Sequence, residues 1–373
     1  MLKTATLTWD SFPNYGTMLQ AYALQQYLLS EGHENHIIDD SSIVFPSSGR
    51  KSKQNIWKYR LKRFWQSLHA NYRHFYRLQR VYCPKMEDFK KRHLRIDYNI
   101  NDVLSDKADY DVYICGSDQI WKPTALINPC RKFFFADFTK RKKISYAPSI
   151  GLYSVPTEWK ETVRNLISSF SSLSVREQAG KEALQELTEK DIHVVVDPTL
   201  LLDKEQWEKC IPSSTQDEKY VLGYLLTPND VYLQAIKDYA KRNNLKLYLF
   251  FLDLSYYGKA DKLITGGPFD FLSFIKNAEV VFTDSFHGTI FSYMLRTPFY
   301  TLRRFKENSK ENQNSRIETL LQKMDATNLF LDESKCNGIS CPNVDFDHIR
   351  ESLAPFIKKS KQYLQKALYE ADM

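Results

Sequence analysis

Asp284-Ser285-Phe286-His287-Gly288-Thr289 sets a titratable imidazole among hydroxyls and a carboxylate where a strand gives way to a helix. Val280 to Phe282 is short, apolar and rich in β-branched residues, as in a parallel strand covered on both faces. Gly288 opens a helical pattern, Thr289 to Leu295, that stops before Pro298. A strand end meeting a helix start is the ligand edge of an open α/β sheet. Amides of a first helical turn favour an anion. The helix start at Gly288, with Ser285 and Thr289 as hydroxyl neighbours, is therefore a candidate anion cradle with His287 beside it. The same residues also read as a helix cap, made by Asp284 or Ser285, next to a buried and hydrogen-bonded histidine.

Other strand ends deliver polar residues in the same way. Gly116-Ser117-Asp118-Gln119 follows an apolar run ending at Cys115, and Asp118 there can orient a hydroxyl, act as a base or cap a turn. Asn14 and Gly16 occupy the first strand-to-helix turn, where turn chemistry alone also favours them. Arg176 follows Leu173-Ser174-Val175 and is either a clamp for a carboxylate or phosphate or a surface charge beside Glu177.

The elements that would hold these residues alternate. From Leu2 to Thr8 the sequence predicts a strand, from Thr17 to Ser30 a helix and from His36 to Asp39 a strand. This is a βαβ start without the Gly-rich dinucleotide fingerprint, so no dinucleotide is expected. A strand at Val194 to Val196, closed by Asp197-Pro198, ends the first half. The alternation resumes at Tyr220 and runs through Phe299 to Leu302. The fold class expected is α/β, with two Rossmann-like doubly wound domains facing a cleft. The first spans residues 1–210 with a basic helical insertion at 50–95. The second spans 211–344, and a terminal helix, 345–373, packs back on the first.

Hydrophobic residues make up 43% and charged residues 26% of the 373, ordinary values for a soluble globular protein. The net charge of +7 is unevenly placed: Arg50 to Arg95 holds fifteen basic residues and two acidic ones. Trp57, Leu61, Phe64, Leu68, Tyr72 and Phe75 fall on one face of a helix there. A basic, aromatic helix suits an anionic membrane surface or the domain core with a solvated back. No nucleic-acid motif accompanies it, so no nucleic-acid partner is expected. No apolar run reaches the roughly 18–20 residues that span a bilayer. The first residues read as a strand, which predicts a cytoplasmic protein, peripheral at most to the inner membrane face. The six cysteines are scattered and complete no zinc pattern, so reduced thiols and no metal are expected.

Seven pieces in order resemble the polysaccharide pyruvyl transferase family. They are Asn14-Tyr15-Gly16 with Leu19 to Leu24; Gly116-Ser117-Asp118-Gln119 with Trp121; Ile144-Ser145-Tyr146-Ala147; Ser174-Val175-Arg176-Glu177; Asp197-Pro198-Thr199-Leu200-Leu201; Thr283 to Gly288; and Arg316-Ile317. The resemblance implies the two-domain GT-B-like fold. It also implies transfer of pyruvate from phosphoenolpyruvate to a sugar of a cell-surface glycan, as a cyclic ketal and with no further cofactor. On that footing His287 is the acid, or the proton donor to the phosphate, and Asp118 or another cleft carboxylate positions the acceptor. Asn14, Gly16 and Ser117 line the acceptor side. Arg176 or Arg316 meets the donor, beside the cradle of Ser285, Gly288 and Thr289. The acceptor would be polyprenyl-diphosphate-linked, with residues 57–95 touching the anionic membrane. Rivals are a nucleotide-sugar glycosyltransferase of the same architecture, a non-catalytic glycan-binding protein, and an enolpyruvyl transfer stopping at the vinyl ether.

Overall fold

A computed structural model describes residues 1–370 except 12, 45–69, 106–107, 214–217, 307–308 and 310–311; at 42, 44 and 70–81 only the backbone is described. β1 (Lys3–Leu7) runs parallel to β2 (Glu34–Asp39) on one side and β4 (Val112–Cys115) on the other. With β3 (Tyr98–Asn99) and β5 (Lys142–Ser145) outside them, the order is β3-β2-β1-β4-β5. Ser172 pairs in parallel with Ile144 of β5. The β6 (Leu173–Val175) and β7 (Ile192–Val194) pair therefore prolongs this sheet.

The second sheet repeats the plan. β8 (Tyr220–Tyr224), β9 (Lys246–Phe250), β10 (Lys262–Ile264), β11 (Val280–Thr283), β12 (Phe299–Leu302) and β13 (Phe330–Leu331) stand in the order β10-β9-β8-β11-β12-β13. All these pairings are parallel. Each sheet reverses its winding at one seam, β1 beside β4 and β8 beside β11. The crevice beyond the strand ends at such a seam is where open α/β sheets bind ligands. The expected pair of Rossmann-like sheets is what the chain forms.

The two halves share packing. Tyr15, opening the Tyr15–Ser30 helix of the first half, stacks on Phe271 of the second at 4.8 Å between ring centroids and 7° between planes. The Phe346–Tyr369 helix spans both. Its Tyr363 hydroxyl donates to the Ser145 carbonyl at 2.9 Å, and its Asp347 accepts from Arg296 at 3.0 Å. Apolar contact across the seam thus fixes where the first-half turn at Asn14 meets the second-half helix that carries His287.

Local boundaries differ from the sequence expectation where side chains intervene. The helix expected to open at Gly288 begins at Phe286, because the Ser285 hydroxyl accepts the Gly288 amide at 3.2 Å and caps it. The strand expected at Val194 to Val196 is Ile192–Val194. Val196 turns its amide to Ser360 of the terminal helix at 3.0 Å instead. β10 and β13 are too short to show an alternating pattern.

Trp57 to Leu68 of the expected basic helix lie outside the described residues. Where side chains of this segment are described, several point inward. Lys90 pairs with buried Asp10 and, at 3.3 Å, with Asp39. Exposed Lys85 pairs with Asp270 of the second half at 2.6 Å. Met86 and Phe89 are buried in the core. Among the described residues no helix is long and apolar enough to cross a membrane.

Candidate active site

Both seams open into one cleft of about 530 Å³. The first half supplies the turn after β1. Asn14 accepts the amides of Gly16 and Thr17 at 2.9 and 3.2 Å and so starts the Tyr15–Ser30 helix at the cleft. Thr17 donates its hydroxyl to Asp118 Oδ2 at 2.6 Å, and the Gln119 amide donates to Oδ1 at 2.8 Å. Asp118 takes the left-handed backbone region, φ 73°, where a short polar side chain is tolerated best after glycine. Its carboxylate is thereby fixed at the cleft wall.

The second half supplies His287, in the first turn of the Phe286–Met294 helix. A Cβ built on Gly16 would lie 2.0 Å from His287 Nδ1. The imidazole therefore occupies the space that the missing side chain leaves. The other ring nitrogen, Nε2, is buried and lies 3.4 Å from Asp197 Oδ2, with geometry short of a formed hydrogen bond.

Asp197 is enclosed. Arg176 Nη1 meets its Oδ2 at 2.6 Å and the Ser117 hydroxyl donates to the same oxygen at 3.3 Å. The Thr199 amide and hydroxyl donate to Oδ1 at 3.1 and 2.8 Å. Burial pushes its carboxyl up, but the charges of His287 and Arg176 beside it outweigh that and hold it well below the usual carboxylate range.

Two arginines face the cleft. Arg304 donates Nε to the Thr227 hydroxyl at 2.7 Å, and Arg316 donates Nη2 to Gln313 at 3.3 Å. Burial, then repulsion from Arg176, pulls Arg316 down to about 10, so it stays charged at neutral pH. Buried Arg316 Nε has no partner among the described residues, an unmet donor at a cleft wall.

The expected residues therefore divide. Asn14, Asp118, Ser285, His287 and Arg316 line the cleft. Gly16, Ser117, Arg176, Gly288 and Thr289 are not among its lining residues. Gly16 is a close-approach glycine beneath His287. Ser117 and Arg176 point at Asp197, with Arg176 also 3.6 Å from Asp118. The Gly288 amide is taken by Ser285, and a side chain there would strike Thr283 Oγ1 at 2.4 Å. Thr289 shares a hydrogen bond with Thr301 at 2.8 Å and donates to the Ser285 carbonyl.

Sequence reasoning passed over Asp197, Arg304 and Asp284 as site residues. Asp197 looked like a strand stop, since Asp-Pro breaks strands. Arg304 had a signal, a basic pair directly after a strand. Asp284 accepts the Leu226 and Thr227 amides at 2.6 and 3.0 Å, tying the β8 end to the β11 end. Burial pushes its carboxyl up from 3.8 to about 6, against the pull of those amides and Arg304. A carboxyl raised in the folded state adds stability below its unfolded value, and that stability is lost as pH rises through the folded value. Urea unfolding should therefore show a stability component that fades between about pH 4 and pH 6. Asp284→Asn should lack that component; equal slopes in both proteins would remove Asp284 as its source.

Asp10, Asp39 and Asp40 lie within 4.8 Å of one another, close enough to share one ion. Lys90 already ion-pairs with Asp10 and Asp39 there. Burial, then Asp40, raises the Asp10 carboxyl to about 9. An ammonium already seated on two of the three carboxylates makes this a poor cation site.

The sequence matches the polysaccharide pyruvyl transferase family over residues 14–304. Comparison with curated proteins finds no match. Among solved structures the chain is similar to the UDP-GlcNAc 2-epimerase of Methanocaldococcus jannaschii. The TM-score is 0.52 at 13% identity, over 99% of this chain and 100% of that one. It is also similar to a putative UDP-N-acetylglucosamine 2-epimerase of Listeria monocytogenes, with TM-score 0.51 at 10% identity, over 100% and 91% of the two chains. At such identities the likeness is one of fold, the GT-B-like pair of sheets around a cleft. With the family match running from the Asn14 turn to Arg304, through both seams of the cleft, the chain belongs to the polysaccharide pyruvyl transferase family and is a transferase that acts on polysaccharide.

Proposed function

We propose that the protein moves the pyruvyl group of phosphoenolpyruvate onto a sugar residue of a polysaccharide, or of its lipid-linked precursor. The product is a cyclic ketal, and phosphate is released. One observation carries this: His287, Arg304 and Arg316 meet in a single cleft. A donor bearing a phosphate and a carboxylate calls for two cationic partners, and guanidinium forks match both groups. The start of the Phe286–Met294 helix adds positive potential beside them.

In this scheme His287 gives a proton to the donor's methylene carbon, and the neighbouring carbon becomes electrophilic. A sugar hydroxyl attacks that carbon and its proton returns to His287. The carbon–oxygen bond to phosphate then breaks. A second hydroxyl closes the ring, and its proton departs with phosphate. One C–H and two C–O bonds form while the C=C π bond and one C–O bond break, so no redox partner is needed. Asp118 and Asn14 orient the acceptor from the opposite wall.

Calorimetric titration with phosphoenolpyruvate tests the donor. A hydrogen bond to a charged group contributes about 1.5–3 kcal/mol. Arg304→Ala and Arg316→Ala should therefore each weaken binding roughly 10- to 100-fold, with folding confirmed by circular dichroism. Affinity untouched by both changes would place the donor elsewhere.

A further inference from the structure

We infer that Asp197 is the positioning residue for His287, and that the working acid is assembled across the two halves of the chain. Asp197 follows β7 of the first sheet, and His287 follows β11 of the second. The inference rests on His287 being the acid of the proposed transfer.

Four first-half donors hold the carboxylate in place: Arg176 Nη1, the Ser117 hydroxyl, and the Thr199 amide and hydroxyl. They come from three separate segments, so its direction is over-determined before His287 arrives. Arg176 is itself braced, its guanidinium 4.4 Å from the Phe286 ring centroid. Phe286 adjoins His287 and meets it edge-on, at 5.3 Å between ring centroids. Gly16 bounds the imidazole on the Nδ1 side.

Within this frame Nε2 faces Asp197 at 3.4 Å, and it has no hydrogen-bond partner among the described residues. A buried ring N–H left unmade is costly. Catalytic hydrogen bonds that are long in a ligand-free site tighten when substrate draws the walls together. Asp197 therefore fixes the proton on Nε2 and leaves Nδ1 as the nitrogen that gives and regains the transferred proton. Asp197 does not line the cleft, so it reaches the donor through His287. Drawing the halves together around the donor would then align the acid, which confines proton delivery to the loaded cleft.

Two measurements test this on the full-length protein. The first needs no substrate and no variant at Asp197. Nitrogen-15 spectra of labelled histidine, with the His287 signals identified by their loss in His287→Gln, should show His287 protonated at Nε2. An Nδ1-protonated neutral ring would overturn the inference. The second is steady-state kinetics of Asp197→Asn. Turnover should fall roughly 100-fold or more, as when a buried carboxylate no longer orients its histidine. KM for phosphoenolpyruvate should stay within about twofold, since the arginine contacts persist. Unchanged turnover in a folded Asp197→Asn protein would overturn the inference, as would a loss confined to KM. Should that variant not fold, the wild-type spectrum alone decides. Should the wild type show no transfer at all, the proposed reaction fails, while the spectrum still reports whether Asp197 orients the ring.

Discussion

Replacing His287 with glutamine is expected to lower turnover by about 10²–10⁴, the usual contribution of a positioned acid–base group. Binding of phosphoenolpyruvate should survive, because Arg304 and Arg316 are untouched. The thermal midpoint should move little, since glutamine keeps a polar side chain of similar reach toward Asp197. Nor does the change strand Asp197, which keeps Arg176 at 2.6 Å. Phosphate release measured beside a melting curve separates catalysis from folding. A collapsed melting curve would mean that His287 is chiefly a core residue, the other reading that its neighbours allow.

Gly16→Ala should be nearly as damaging to turnover, though it changes no group that takes part in chemistry. The added methyl carbon would lie 2.0 Å from His287 Nδ1 and 2.4 Å from Cγ. The ring must swing away from residue 16, out of its observed position, or the Tyr15–Ser30 helix must shift. Overpacking of this kind costs about 1–3 kcal/mol. Alanine otherwise favours a helix over glycine by roughly 0.8–1.0 kcal/mol, so the loss should depend on His287 being present. In the pair His287→Ala and Gly16→Ala, the double variant should lose much less than the sum of the two single changes, with a residual cost because the Cβ at position 287 still lies 2.8 Å from the added methyl. Additive losses would show that Gly16 serves the backbone and not the imidazole.

Most strands of both sheets were legible because they are short apolar runs ending in small or polar residues; β3, β10 and β13, two or three residues long, were not. Parallel strands covered on both faces write that pattern plainly. It also placed Asn14, Asp118 and His287 at strand ends, where the cleft lies. Facing directions were not legible. Arg176 sits at a strand end like the others, yet turns inward because a buried carboxylate, Asp197, lies 2.6 Å away. Nothing local in the sequence signals that partner 21 residues on. Gly288 and Thr289 likewise read as an anion cradle until the Ser285 cap and the Thr301 hydroxyl account for their donors. The 3.4 Å approach of His287 to Asp197 joins residues from separate sheets, so only the packed molecule displays it.

The most direct test supplies phosphoenolpyruvate labelled with carbon-13 at its second carbon, together with a panel of 4-nitrophenyl and lipid-linked sugars. Phosphate release and the carbon spectrum of the product are followed together. The expected result is release that requires one particular sugar, matched by a new quaternary ketal carbon, with both lost in His287→Gln. No release with any sugar, together with a melting-temperature rise from a nucleotide sugar but none from phosphoenolpyruvate, would contradict pyruvyl transfer from this donor.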